Sequence, residues 1–137
     1  MSCGMAAALQ SAVYQHLLAD AGVSGLVGAA IYDGVPAGDV ATTYVSLGPE
    51  DVRDSSDKSG PGAVHRFTVS VMTQTAGFAA AKEVAAAITD ALEEADLVLN
   101  RGRVVGLWFE RASARRSGTA GHIRRIDLRF RARMEDN

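Results

Sequence analysis

The stretch Val64–Thr73, VHRFTVSVMT, decides the fold because it predicts a strand with one apolar side. Its alternating positions are Phe67, Val69 and Val71 on one side, and Arg66, Thr68 and Ser70 on the other. This period of two is typical of a β-strand that buries one face and exposes the other. The sequence therefore predicts a sheet that is covered by another layer on one side.

Two segments have the helical period needed for that covering layer. Ala76–Ala95 follows the strand, and its predicted buried stripe is Phe78, Ala81, Ala85, Ile88 and Leu92. Met5–Asp20 places Met5, Leu9, Val13 and Leu17 on one face. Apolar residues three or four apart define the buried side of a helix, so both segments are expected to lie on the sheet.

Four further segments are predicted to be strands: Ala29–Tyr32, Thr42–Leu47, Arg103–Arg111 and Ile123–Met134. The element order is then α-β-β-β-α-β-β. Most of the connections between strands are too short for a crossover helix, which favours antiparallel pairing. We predict an α+β fold over residues 1–137, a two-layer sandwich with a mostly antiparallel sheet and two helices on one face.

The last strand carries a row of arginines opposite its apolar row. Ile126, Leu128, Phe130 and Ala132 are predicted to point inward, and Arg125, Asp127, Arg129, Arg131 and Arg133 outward. Residues 101–137 contain ten arginines against four acidic residues, a net charge of +6, whereas residues 1–100 have a net charge of −8. Three interpretations remain open for the arginine row: a solubilising surface, an interface with an acidic partner, or a nucleic-acid contact.

A second charged segment, GPEDVRDSSDKSGPG at residues 48–62, is predicted to be a long loop. Its charged residues include Asp51, Asp54, Asp57 and Lys58. The aspartates are three apart, and the closing glutamate of a calcium loop is missing, which argues against a cation site. The remaining alternatives are a solvated loop and an arm that binds a partner.

The sequence gives little indication of catalysis or of a cofactor. His16, His65 and His122 fall on different predicted elements, and Cys3 stands alone, so we predict neither a metal site nor a disulfide. Phosphate-binding, dinucleotide-binding and nucleophile motifs are missing, which excludes the enzyme classes that depend on them. Trp108, the only tryptophan, is either a core residue or an interface residue.

The length and composition favour one globular protein kept where it is made. The chain has 137 residues, of which 47% are hydrophobic, and no apolar run is long enough to span a membrane. The N-terminus lacks the pattern of a signal peptide. We therefore expect a non-membrane protein that is made and kept in the cytoplasm, or in a particle assembled there.

Four segments together resemble the tail completion, or tail terminator, proteins of long non-contractile phage tails, including those of gene transfer agents. The segments are LQSAVYQHLLAD at 9–20, GLVGAAIYDGVP at 25–36, RIDLRFRARME at 125–135, and the strand-loop-strand-helix unit YVSLGPEDVRDSSDKSGPGAVHRFTVSVMTQTAGFAAAKEVAAAITDAL at 44–92. The resemblance extends over nearly the whole chain and is carried by the order and spacing of these segments.

The resemblance implies a structural protein without catalytic residues, cofactor or metal. It implies a ring, usually of six copies, that caps the tail tube at the head-tail junction of a virion. The implied partners are other copies of the chain, the major tail tube protein and the head-side connector or stopper protein, with DNA passing through the lumen without specific binding. On this basis we expect residues 50–60 to form an arm that becomes ordered on assembly.

Two other functions remain open. The chain could be a head-tail joining protein on the head side of the same junction. It could instead be a small nucleic-acid-binding domain that uses the C-terminal arginine strand.

Overall fold

The computed structural model describes residues 3–56, 58, 60–93 and 95–136 of the chain. The helices are α1 (Ala6–Ala19), α2 (Ala21–Val27) and α3 (Ala79–Leu92), and a 3₁₀ turn spans Thr119–Gly121. The strands are β1 (Ile31–Tyr32), β2 (Thr43–Asp54), β3 (Gly62–Thr73), β4 (Arg103–Ser117) and β5 (Ile123–Glu135). The predicted α+β fold and its element order are confirmed.

The strands form one sheet in the order β1-β2-β3-β5-β4. The four long strands pair antiparallel, and only the two-residue β1 pairs parallel, with β2 at Ile31↔Val45 and Tyr32↔Ser46. The strand Val64–Thr73 that decides the fold is therefore central, and β4 is an edge strand. The centre of β4, VVGLWF at residues 104–109, is apolar on both faces, which predicts either an interior strand or one that meets a partner. The edge position excludes the interior strand and leaves the partner as a proposal.

One core lies between the helices and one face of the sheet. The predicted inward row of β5 and the stripe of α1 are all buried there, as are the four predicted residues of α3 from Ala81 to Leu92. Val84, which the predicted stripe of α3 does not include, is buried as well. Phe78 packs on this core only partly, because it precedes the first residue of α3. The opposite face of the sheet has no helix on it in the described part of the chain, so the sandwich has two layers.

A third helix, α2, is present where the sequence predicts only two helices, and it covers most of VSGLVG at 23–28, which has the composition of a turn. The Asp20 carboxylate accepts a hydrogen bond of 2.9 Å from the Val23 backbone N–H, which caps the first turn of α2. Val23 is fully buried and anchors the helix. The two glycines in the segment lower its helix propensity, but the cap and the buried valine outweigh them.

Most of the predicted loop at 48–62 is strand. β2 continues to Asp54, and Gly48 and Pro49 form a bulge between the pairs Leu47↔Val69 and Glu50↔Phe67. Proline is tolerated at a bulge because the ladder needs no N–H there, so Pro49 does not end the strand. The connection is reduced to residues 55–61, and the expected arm beginning at Glu50 is wrong for Glu50–Asp54.

Replacing Ile88 by Asp should destabilise the chain because Ile88 is completely buried on α3. An unpaired carboxylate at this position must lose its hydration or stay protonated, which should lower the free energy of unfolding by several kcal/mol, about 3–5. Ala86→Asp, at an exposed position of the same helix, is the matched control. Urea denaturation checks this, and equal unfolding midpoints for the two variants would contradict the assignment of the buried face.

Candidate assembly surfaces

The uncovered face of the sheet is strongly basic, and we call it the arginine face. Alternation and register place nine arginines on it against Asp51, Glu110, Asp127 and Glu135, a net charge of +5. The arginines are Arg53, Arg66, Arg103, Arg111, Arg115, Arg125, Arg129, Arg131 and Arg133. All four C-terminal arginines singled out in the sequence lie together here.

Two carboxylates hold part of the arginine face in place. Glu110 lies 3.3 Å from Arg66 and 3.9 Å from Arg129. Asp127 accepts hydrogen bonds from the Ser70 hydroxyl at 2.6 Å and from Arg125 Nε at 2.8 Å. The face is therefore a partly neutralised network and not a set of free cations, although Arg111 has no ion pair among the described residues.

The surroundings of Asp127 stabilise its charged form. Burial alone would raise the pKa of Asp127, but the hydrogen bonds from Ser70 and Arg125 outweigh burial. The charges of Arg125 and Arg115 act in the same direction, so the pKa lies below its ordinary value. Asp127 thus remains ionised in mildly acidic solution and keeps the neighbouring arginines oriented.

Trp108 is an exposed residue of β4 and not a core residue. Its side chain is 45% exposed, and the Arg131 guanidinium carbon lies 4.7 Å from the ring centroid. This stacking covers one side of the indole and fixes its position at the border of the arginine face. Of the two interpretations left open by the sequence, the structure excludes the core and leaves the interface as a proposal.

Trp108 belongs with Val105 and Phe109 to a group of apolar side chains at the outer edge of β4, which we call the apolar strip. Register places Trp108 on the arginine face and Phe109 on the opposite face. Val105 and Phe109 are 50% and 49% exposed, so three large apolar side chains are only half covered. Trp108 and Phe109 line a cleft of about 470 Å³ together with Leu92, Leu107 and Phe130. Exposed aromatic side chains on an edge strand are typical of surfaces that are covered on assembly.

The aspartates of residues 48–62 do not form a cluster, in agreement with the argument against a cation site. Asp51 and Asp54 are three apart in a strand, so they point to opposite sides of the sheet. Asp51 pairs with Arg53 at 3.2 Å, whereas Asp54 accepts a 2.7 Å hydrogen bond from the Ser56 hydroxyl, which lowers the pKa of Asp54. Asp57 lies outside the described residues, and Lys58 is exposed.

His65 is a buried residue that the sequence did not single out. It is 0% exposed, and its Nδ1 lies 2.7 Å from the Glu50 carboxylate, while its Nε2 has no hydrogen-bond partner. The alternation of β3 could have predicted this burial, since His65 occupies the same row of alternating residues as Ala63 and Phe67. The histidine is inward because of its register in β3, and the bulge in β2 brings Glu50 to it.

The described part of the chain contains no cluster of three His, Cys, Asp or Glu side chains suited to a metal ion. Among the same residues, no helix is long and apolar enough to cross a membrane. What distinguishes the molecule is the charge of its two broad faces. Residues 1–42 and 74–100, the segments that contain the three helices and the short β1, include eight acidic residues and one lysine, a net charge of −7 against +5 on the arginine face.

Asp127→Asn should lower the free energy of unfolding at neutral pH by about 0.5–1.5 kcal/mol, because it weakens two charge-assisted hydrogen bonds. A carboxyl group with a lowered pKa in the folded state stabilises that state above its ordinary pKa of about 3.9. This contribution is lost as the pH falls through the folded-state value. The difference between wild type and variant should therefore shrink below about pH 4. Urea titrations at pH 7 and pH 3 measure it, and a constant difference would contradict the assigned role.

Comparisons with known proteins agree with the sequence resemblance. The family model described as tail completion protein gp17 matches residues 11–135. A chain in the solved structure titled "Virion of native gene transfer agent (GTA) particle" superposes with a TM-score of 0.92 and 64% sequence identity, covering 98% of this chain and 99% of that one. No curated protein sequence matches significantly. The protein belongs to the tail completion protein gp17 family.

Proposed function

We propose that the chain forms a ring that caps the tail tube of a phage-like particle and provides the docking surface for the head-side connector. The match to a gene transfer agent virion component, with 64% identity over 98% of the chain, supports a structural role in a particle of this kind and carries this proposal. The family description supplies the location at the tail. DNA would pass through the lumen of the ring without specific binding.

The surfaces of the chain fit a protein that works by assembly. The exposed apolar strip of β4 and the two oppositely charged faces offer several contacts on one small molecule. A ring needs heterologous contacts, in which one surface meets a different surface of the next copy. Unlike surfaces of opposite charge satisfy this requirement, because they attract each other and repel copies of themselves.

A role in head-tail joining fits the same surfaces and the same kind of particle. The joining role differs from the terminator role in the partner that the chain binds. A joining protein would remain with the heads when heads and tails are separated. Copurification with tubes supports the terminator role, and copurification with tail-free heads supports the joining role.

Ring formation predicts a defined mass. Native mass spectrometry of rings released from purified particles should give a single closed multiple of the chain mass, with six as the expected number. Dissociation in dilute solution is compatible with this, because assembly contacts of moderate size weaken on dilution. A monomeric copy in the mature particle would refute the ring.

Charge reversal on the arginine face should separate an assembly role from nucleic-acid binding. Arg129→Glu and Arg131→Glu are each expected to weaken a protein contact by about 1–3 kcal/mol if an acidic partner covers the face. The expected defect is tails of uncontrolled length, or heads and tails left unjoined. Lys82→Glu, on the exposed side of α3, is the control for a charge reversal as such.

The nucleic-acid alternative rests on the same arginines and predicts a different measurement. A site with about four phosphate contacts would give a log–log salt slope of about −3.6 on duplex DNA. We expect weak or no duplex binding at physiological salt, because contacts to Glu110 and Asp127 already occupy several of the arginines. Sub-micromolar binding that Arg129→Glu and Arg131→Glu abolish, with tails intact and joined, would favour the nucleic-acid function.

A further inference from the structure

We propose that neighbouring copies join their sheets edge to edge, with β4 of one copy adding to the free part of β2 of the next. The occupant of the β4 edge is thus a second copy of this chain. The inference rests on the proposed ring and specifies the contact that closes it. It starts from two sheet edges that the described part of the chain leaves open.

The two open edges have different lengths. β4 has no strand on its outer side along all of Arg103–Ser117. β2 is covered by β1 only at Val45 and Ser46, so its edge is open from Leu47 to Asp54. Open edges present unpaired backbone N–H and C=O groups, which favour the addition of another strand.

The two open edges lie at the same level of the sheet, and their directions allow antiparallel pairing between copies. The register across the sheet places Leu47 in the row of Ala112, and Asp54 in the row of Val104. The open part of β2 is therefore level with the part of β4 that carries Val105, Trp108 and Phe109. The strands run in opposite directions, since three antiparallel pairings separate them, so level copies that keep the same strand direction would pair antiparallel.

Charge disfavours the pairing of β2 with β2. The open stretch of β2 contains Glu50, Asp51 and Asp54 against Arg53, a net charge of −2. The stretch of β4 at the same level, Val104–Ala112, contains Arg111 and Glu110 and has no net charge, and the other three arginines of β4 lie beyond it. Pairing β2 with β2 would oppose like charges, whereas pairing β2 with β4 brings Arg111 near the acidic stretch.

A proline and bulges often protect an edge strand from pairing. Here they would shorten the hydrogen-bond ladder between two copies but would not prevent it. Pro49 cannot donate a hydrogen bond, so backbone pairing would be interrupted at the bulge and continue over Glu50–Asp54. The bulges of β4 at Val105 and Glu110 increase its twist. Half-exposed apolar side chains between these bulges are unusual for an edge that must remain free, and addition of a strand would cover them.

Hydrogen–deuterium exchange of the native chain in purified particles tests the inference without a variant. In a free edge strand only alternate amides are bonded, so alternate residues of 104–112 exchange fast. In a strand that is paired on both sides, all backbone amides except those at bulges are hydrogen-bonded and exchange slowly. Slow exchange at consecutive residues of 104–112 and of 50–54 is expected, and persistent alternation at either edge would overturn the inference.

A compensating charge exchange provides the second test. Asp51→Arg and Arg111→Glu alone should each reduce the yield of finished particles about tenfold, as expected for about 1.4 kcal/mol per contact. In the double variant every contact between neighbouring copies again has one basic and one acidic side chain. It should therefore recover most of the yield. Asp51→Arg combined with Lys82→Glu is the matched control and should not recover. Unaffected single variants, or a double variant without recovery, would overturn the inference.

These outcomes are distinguishable from a failure of the proposed function. A released ring of defined mass whose β4 edge still shows alternating exchange would keep the ring and reject the edge contact. A monomeric chain in the particle would reject both.

Discussion

The structure depends on the pairing of β3 with β5 along their whole length. Twelve consecutive residue pairs, from Gly62↔Glu135 to Thr73↔Arg124, fix which side chains of both strands share a face. A shift by one residue would move Phe130 and Leu128 out of the core and bring arginines into it. The helical layer, the buried row and the arginine face all follow from this one register.

Covering only one face of the sheet has a chemical consequence for the other. The uncovered face needs polar side chains, and this chain uses mostly arginine, whose long stem shields the sheet while its guanidinium remains at the surface. The acidic residues are divided equally between the segments of the helical layer and the rest of the chain, but all the arginines lie outside those segments, so the two layers of the sandwich carry opposite charge. The small net charge of −2 conceals this separation.

The elements with clear periodicity could be predicted from the sequence. The alternation in Val64–Thr73 and the stripe of α3 depend on local spacing, and both agree with the structure. The errors arose where tertiary contacts outweigh local signals. Pro49 lies in a bulge and not at a strand end, Asp20 caps a helix with two glycines, and the position of β4 depends on strand order, which local sequence does not specify. The sequence left Trp108 open between core and interface for the same reason, since its exposure follows from the edge position of β4.

The bulge at Gly48 and Pro49 affects how the length of this segment can vary. Two residues there occupy the place of one opposite Thr68, so the strand contains one residue more than its pairing needs. Loss of either would restore regular alternation and leave Leu47 in the core and Glu50 beside His65. A deletion elsewhere in β2 would displace one of these two side chains. Among relatives, insertions and deletions in this region should therefore be confined to the bulge and to the connection at 55–61, while the rest of the strand varies only by substitution.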